Sequence, residues 1–334
     1  MKKPLIILTG PTAVGKTKLS ISLAKAVNGA IISADSMQVY RHMDIGSAKI
    51  RPEEMRGVPH YLIDVLDPSE EFHVVKFVEL AHEAMEKIYA AGQIPIVTGG
   101  TGFYIQALLK EVDFTESHGE LPIRKELEEK AATVYGAAEL YQKLSEVDPA
   151  SAETIHPNNV KRVIRALEYY YETGQKISEH NEEQKQKESP YCSAYFVLND
   201  ERSILYDRID RRVDQMIHDG LVDEVSRLKE MGYTRELVSM QGLGYKELFP
   251  YLAGECSLEE AIYIIKRDTR HFAKRQLTWF RREKDVIWLN KPDFAYDEEK
   301  ILSYMLDCWN ETVSADAKEE GGSVKSFAYT HLTL

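Results

Sequence analysis

The chain has 334 residues, 43% of them hydrophobic and 29% charged, with a formal net charge of −12 at pH 7. That length can bury a sizeable core and fits two domains better than one, and the composition is that of a globular protein. The negative balance argues against indiscriminate nucleic-acid binding while leaving room for local basic grooves, and three widely spaced cysteines, Cys192, Cys256 and Cys308, indicate neither a disulfide framework nor a zinc site.

Taken in order, Met1-Lys2-Lys3 leads into an apolar run that breaks at Gly10-Pro11, too short for a secretion signal or a membrane span, so a cytoplasmic monomer without membrane association is expected. Leu5–Leu8 reads as a strand and Lys16–Val27 as a helix. Between them, Gly10-Pro11-Thr12-Ala13-Val14-Gly15-Lys16-Thr17 fits G-x-x-x-x-G-K-[ST], a loop whose glycines let backbone N–H groups close around phosphate oxygens at the positive end of a helix. Lys16 adds a point charge and the Thr17 hydroxyl a ligand for Mg²⁺. A second strand, Ala30–Ala34, ends at Asp35; a helix over Lys76–Ala91 precedes a third strand, Ile94–Val97, which ends at Thr98-Gly99-Gly100-Thr101-Gly102. This alternation predicts a parallel sheet with its strand ends on one ligand-binding rim.

From about Asp113 the pattern becomes helical, at Ile123–Tyr135, Ala137–Val147 and Asn158–Thr173, with Gly174 closing the last and acidic, mobile segments flanking the block. Strand Ala194–Leu198, helices Arg202–Gly220 and Leu258–Lys284 and strand Val286–Leu289 follow, and the chain from about Ser314 is expected to be disordered. The fold expected is therefore α/β, a P-loop NTPase-like parallel sheet flanked by helices over residues 1–114 and 195–313, with an all-helical insertion domain at 115–194 and a tail at 314–334.

A phosphate loop commonly serves a kinase, but kinases usually carry a later strand that ends in an Asp for Mg²⁺, and here that strand ends in Thr98-Gly99-Gly100. Asp35 is the nearest carboxylate candidate, with a helix N-cap as its plain alternative; Gly99 and Gly100 offer either close backbone approach or only a tight turn. On Arg202–Gly220, Arg212 falls about 20° from Leu205 of the apolar stripe and needs an anion, either a structural carboxylate or a ligand phosphate. Arg208 lies on the same stretch. On Leu258–Lys284, Arg267, Arg270, Lys274 and Arg281 share an arc of about 60°, joined by His271 and Thr278, opposite Ile262, Ile265, Thr269, Phe272 and Phe280. Lys161, Arg162 and Arg165 form a second basic cluster opposite Val160, Val163, Ile164 and Leu167. Either cluster could be an ordinary solvated face; two in an acidic protein point to a nucleic acid.

Gly10–Thr17, Asp35-Ser36-Met37-Gln38-Val39-Tyr40, Met43–Lys49, Gly99–Tyr104, His156–Asn159, Gly242–Tyr245 and Lys274–Trp279 together resemble the tRNA dimethylallyltransferases, in the family's order and without the C-terminal zinc finger of eukaryotic members. The resemblance implies transfer of a prenyl group from dimethylallyl diphosphate to the exocyclic amine of the adenosine 3′ of a tRNA anticodon. It implies that Thr12–Thr17 bind the diphosphate, that Lys16 and Arg212 counter its charge, that Thr17 helps hold Mg²⁺, that Thr101 bonds near the bridging oxygen, and that Asp35 accepts the amine proton. The tRNA-contacting segments carried over are Asp35–Gln38, Thr101, Arg124, Lys161–Arg165, Met240-Gln241-Gly242-Leu243-Gly244-Tyr245, and His271, Lys274, Arg275 and Thr278. The insertion and the basic stripe are expected to grip opposite sides of the anticodon stem, the stripe facing away from the sheet rim. A small-molecule kinase with ATP on the loop, and a nucleotide-gated RNA-binding protein without chemistry, are the competing readings.

Overall fold

The structure, a computed structural model, describes residues 2–112 and 122–319. It divides into two compact units, 1–109 with 190–334, and 110–189. The first begins with β1 (Lys3–Thr9), α1 (Lys16–Ala26), β2 (Gly29–Ser33), β3 (His60–Tyr61), α2 (Val74–Ala90), β4 (Ile94–Gly99) and α3 (Gly102–Lys110). The second holds α4 (Pro122–Ala131), α5 (Gly136–Val147), α6 (Pro149–Thr154), α7 (Val160–Thr173) and α8 (Ile177–Gln186). The chain then returns to the first unit with β5 (Tyr191–Asn199), α9 (Arg202–His218), α10 (Leu221–Glu230), α11 (Leu248–Leu252), α12 (Leu258–Phe280), β6 (Ile287–Asn290) and α13 (Glu298–Glu319).

The six strands form one sheet in the order β3-β2-β4-β1-β5-β6, every neighbouring pair parallel. Leu5, Ile6, Ile7 and Leu8 are at most 1% exposed, as a central strand covered on both faces requires. Ile6 and Leu8 pack with α1 and α13, Leu5 and Ile7 with α2 and α3. The chain winds from β1 over β4 to β2, and from β4 over β1 to β5, so the winding reverses between β1 and β4. That is where a parallel sheet opens a crevice at its carboxyl rim. Leu8 and Ser33 both lie level with Thr98, so the loops after β1, β2 and β4 leave the sheet side by side. Helix α12 starts at a capping box in which Ser257 Oγ accepts from the Glu260 amide (3.1 Å) and Glu260 Oε2 from the Ser257 amide (2.8 Å).

The second unit has its own core, built on Leu127, Leu140, Leu144, Val163, Ile164 and Leu167. Its compact limits, 110 and 189, differ from the expected 115–194 because β5 starts at Tyr191, where Lys3 pairs with it, and not at Ala194. The segment after Gly174, expected to be mobile, is helical over Ile177–Gln186. The disorder expected from Ser314 is also corrected: α13 runs to Glu319 and buries Ala317. The expected start of the insertion at 115 and the tail beyond 319 lie outside the described residues.

Two buried carboxylates organise this unit. Glu168 accepts from Arg165 at 3.0 Å and Arg124 at 3.5 Å. Asp148 receives the amide and hydroxyl of both Ser151 (3.1 and 2.7 Å) and Ser178 (3.0 and 2.6 Å), joining α6 to α8. Burial alone would raise the Asp148 carboxyl, but these four bonds outweigh it and hold the group below its ordinary range. Replacing Asp148 with Ala should lower stability by about 2–4 kcal/mol, since a cap and several buried bonds go together. Thermal unfolding followed by circular dichroism checks this. The stability that Asp148 confers is present above pH of about 4 and is lost as pH falls through its lowered native value.

Candidate active site

The loops after β1, β2 and β4 border a cavity of about 640 Å³, within the size range of small-molecule sites. Its polar wall includes Thr12, Ala13, Gly15, Lys16 and Thr17 from the phosphate loop, Asp35–Gln38 from the β2 loop, and Thr101. Arg208 and Arg212 enter from α9, Gln241–Gly244 from the loop before α11, and Arg275 and Gln276 from α12. Its apolar wall is formed by Ile209, Val213, Met216, Ile265 and Phe272.

The phosphate loop turns on Gly10 (φ +147°) and Gly15 (φ +101°), where a side chain would be strained; at Gly10 it would also strike the Leu198 carbonyl. Val14 is buried beneath the loop with Pro11. The Lys16 ammonium donates to the carbonyls of Gly10 and Pro11, both at 2.9 Å. Its pKa is lowered to about 8, chiefly by desolvation and further by Arg212, with Asp35 opposing. Arg212 opens onto the cavity wall with no ion-pair partner within 4 Å among the described residues; desolvation lowers it, and Asp35 is the charge that supports it. Arg208 differs, because buried Asp200 accepts from it at 2.5 Å.

Asp35 Oδ1 accepts the amides of Met37 (2.8 Å) and Gln38 (3.3 Å), which fixes the carboxyl at the strand end, and Oδ2 accepts no bond from the described residues. Ser33 Oγ donates to Gln38 Oε1 (3.1 Å). Among the described residues, Thr17 Oγ1, which faces the cavity, has no hydrogen-bond partner, and neither has the buried Thr98 Oγ1. The glycines at the end of β4 leave no room for a side chain: Gly99 packs on the Ala34 backbone, Gly100 on the Gln276 carboxamide and Gly102 on the Trp279 ring, and Gly99 and Gly100 also line the cavity.

Two residues that sequence reasoning passed over hold these loops. Gln276 bonds both the phosphate loop and the β4 loop. Buried Glu224 accepts the amides of Asp44 (3.0 Å), Ile45 (2.8 Å) and Gly46 (3.1 Å) and the Tyr245 hydroxyl (2.8 Å). Both are polar residues on the apolar stripe of an amphipathic helix, which was the available signal.

The remaining sequence candidates separate by exposure. Met240 and Tyr245 are fully buried, and Val163 and Ile164 nearly so, so their side chains brace the segments carried over from the resemblance and cannot touch a ligand. Lys161 and Arg162 are exposed, whereas Arg124 and Arg165 are drawn to Glu168. The stripe on α12 is likewise uneven. Arg270 is tied to Asp210 of α9, which packs along this side, and Arg267 to its own neighbour Asp268 on α12 (2.7 Å). Lys274, Arg275, Thr278 and Arg281 are exposed, with His271 3.9 Å from Asp268. Arg275, which lies outside that stripe, lines the cavity, whereas Arg267, Arg270, Lys274 and Arg281 are not among its lining residues.

The family model described as IPP transferase matches residues 38–283. The chain belongs to the IPP transferase family. A tRNA dimethylallyltransferase of Lachnoclostridium phytofermentans is 66% identical over 304 residues, covering 91% of this chain and 96% of the relative. One from Acetivibrio thermocellus is 50% identical, covering 90% and 97%. Among solved structures, a tRNA isopentenylpyrophosphate transferase of Bacillus halodurans is similar with a TM-score of 0.71 at 45% identity, covering 94% of this chain and 99% of that one. A eukaryotic dimethylallyltransferase acting on tRNA gives 0.76 at 31%, covering 97% and 81%. No helix among the described residues is long and apolar enough to cross a membrane.

The state of Lys16 yields a test. A polyanion in the loop raises the pKa of an ammonium beside it, so above about pH 8 binding must take up a proton. Pyrophosphate affinity should therefore fall above pH 8 by up to about tenfold per pH unit, relative to a Lys16→Met variant measured in parallel. Isothermal titration between pH 7 and 9.5 checks it.

Proposed function

We propose that this chain transfers the dimethylallyl group of dimethylallyl diphosphate to the exocyclic amine of the adenosine 3′ of a tRNA anticodon. The observation that carries the reading is that the phosphate loop, the unpaired Arg212 and Asp35 face one cavity, while β4, beside β1, ends in Thr98-Gly99 without a kinase carboxylate, and Asp200 after β5 is bonded to Arg208. The loop then holds a leaving group rather than a phosphoryl donor, which disfavours the kinase alternative. The adenosine nitrogen attacks the first carbon of the prenyl group, the carbon–oxygen bond to the diphosphate breaks, and the electron pair leaves on the diphosphate. Lys16, Arg212 and the loop amides counter that charge as it develops. Thr101 stands at the rim beside the bridging oxygen. Asp35, held by the Met37 and Gln38 amides, takes the amine proton through Oδ2. The apolar wall of Ile209, Val213, Met216, Ile265 and Phe272 receives the prenyl chain and keeps water from the electrophilic carbon.

No group of three His, Cys, Asp or Glu side chains among the described residues could hold a metal. The unbonded Thr17 hydroxyl fits Mg²⁺, a cation content with one protein oxygen beside diphosphate and water, and Mg²⁺ bound there would supply further charge neutralisation to the leaving group. On the tRNA side, exposed Lys274, Arg275 and Arg281, with Lys161 and Arg162 of the second unit, supply phosphate contacts that offset the cost of unstacking the adenine, a few kcal/mol.

Labelled dimethylallyl diphosphate and unmodified tRNA test the reading directly: labelled tRNA is expected, and label transfer to no nucleic acid, or turnover of ATP in its place, would overturn it. In the same assay Asp35→Ala should lower kcat by roughly 10²–10⁴-fold with little change in pyrophosphate binding. Arg212→Ala should chiefly raise the donor KM, because it removes an interaction made before reaction.

The uneven pairing of the basic stripe makes a second expectation specific. Lys274→Ala with Arg275→Ala should weaken tRNA binding and flatten the slope of log affinity against log salt by about 0.7–0.9 for each phosphate left without its cation. Arg267→Ala should change that slope little, since its guanidinium is already matched by Asp268. Filter binding across a salt series distinguishes the two.

A further inference from the structure

Gln276 sits on the apolar face of α12, about 20° around the helix from Ile265, and is 7% exposed. A carboxamide buried among apolar side chains is costly unless both of its ends are bonded. Both are. Oε1 accepts the Thr12 amide at 2.9 Å, and Nε2 donates to the Gly100 carbonyl at 3.0 Å. The socket is shaped for this one side chain, because a Cβ at Gly100 would overlap Nε2, and Trp279, one turn further on, closes over Gly102 in the same way.

The Thr12 amide belongs to the peptide between Pro11 and Thr12, and the carbonyl of that same peptide accepts the Lys16 ammonium at 2.9 Å. One peptide plane is therefore gripped at its N–H by Gln276 and at its C=O by Lys16. Fixing that plane orients the amides that follow it in the loop, and the second bond sets the gap between the loop after β1 and the loop after β4. We infer that Gln276 is a positioning residue for the diphosphate: with both ends of its carboxamide bonded to backbone, it acts through the phosphate loop, which it holds open at the width and orientation that the anion requires. The inference rests on the reading of this loop as a diphosphate site.

The test measures binding of inorganic pyrophosphate to tRNA-free protein from pH 5.5 to 8, each variant as a ratio to the unsubstituted chain at the same pH. Gln276→Met keeps the length and loses both bonds, and should weaken pyrophosphate about tenfold at every pH. Gln276→Glu keeps an acceptor for the Thr12 amide but faces the Gly100 carbonyl with a carboxylate. It should bind worst at pH 8 and recover several-fold as pH falls, because the protonated carboxyl regains a donor for Gly100. A purely structural role predicts no such recovery. tRNA affinity should stay within twofold in both variants, because Lys274 and Arg275 are untouched.

Pyrophosphate affinity within twofold of the unsubstituted chain in both variants would overturn the inference. So would a loss of pyrophosphate and tRNA binding in equal measure, which would mean that α12 had simply come loose. If Gln276→Met fails to fold, the pH-dependent ratio of Gln276→Glu decides alone. Failure of the unsubstituted chain to bind pyrophosphate would instead remove the diphosphate reading itself, and this inference with it.

Discussion

Lys16 and Arg212 face the same cavity, and both are cations held out of water. Desolvation, with a smaller contribution from Arg212, lowers the Lys16 ammonium to about 8, desolvation depresses Arg212 as well, and Asp35 is the carboxylate that favours both charged forms. A site built this way is electrostatically unfinished without an anion, and much of the surrounding structure keeps it so. Asp200 is bonded to Arg208, and Asp210 and Asp214 hold Arg270 and Lys266 on α12. Asp200 and these two acids of α9 are thereby occupied with other cations, as Asp207 is with Arg211, and Arg212 is left for the ligand.

Holding two cations together demands rigid walls, and the loops of this site are braced from outside as well as by their own hydrogen bonds. The bracing comes from α10 and α12, through Glu224 and Gln276. Each places a polar group from a distant helix against backbone amides or carbonyls of the rim. The three glycines at the end of β4 follow from this arrangement. Gly99, Gly100 and Gly102 let Ala34, Gln276 and Trp279 approach the backbone closely.

The sheet and the loop between β1 and α1 were legible because local pattern decides them: an apolar run buried on both faces, then glycines at positions of positive φ. Asp35 was legible because a strand ended at it. The bracing residues were not, since nothing local links Gln276 to Thr12 or Glu224 to Ile45, and a lone polar residue on an apolar stripe names no partner. The basic stripe was overread for the same reason. Periodicity put Arg267, Arg270 and Lys274 on one face, but whether each charge is free depends on acids elsewhere, Asp210 on another helix and Asp268 beside Arg267. The helical continuation past Ser314 was missed because its anchor, Ala317, is a single small residue in a polar stretch.

The two bonds of Gln276 join residues 264 and 176 positions apart. During synthesis the phosphate loop leaves the ribosome early, with its glycines and its lysine already in sequence, while the side chain that sets its width is still hundreds of codons' worth of translation away. Such distant pairings carry a high loop-closure entropy and form late. The nascent core can thus acquire its sheet and its first helices well before it acquires an organised anion site, and a fragment ending anywhere before α12 would carry the motif without the geometry.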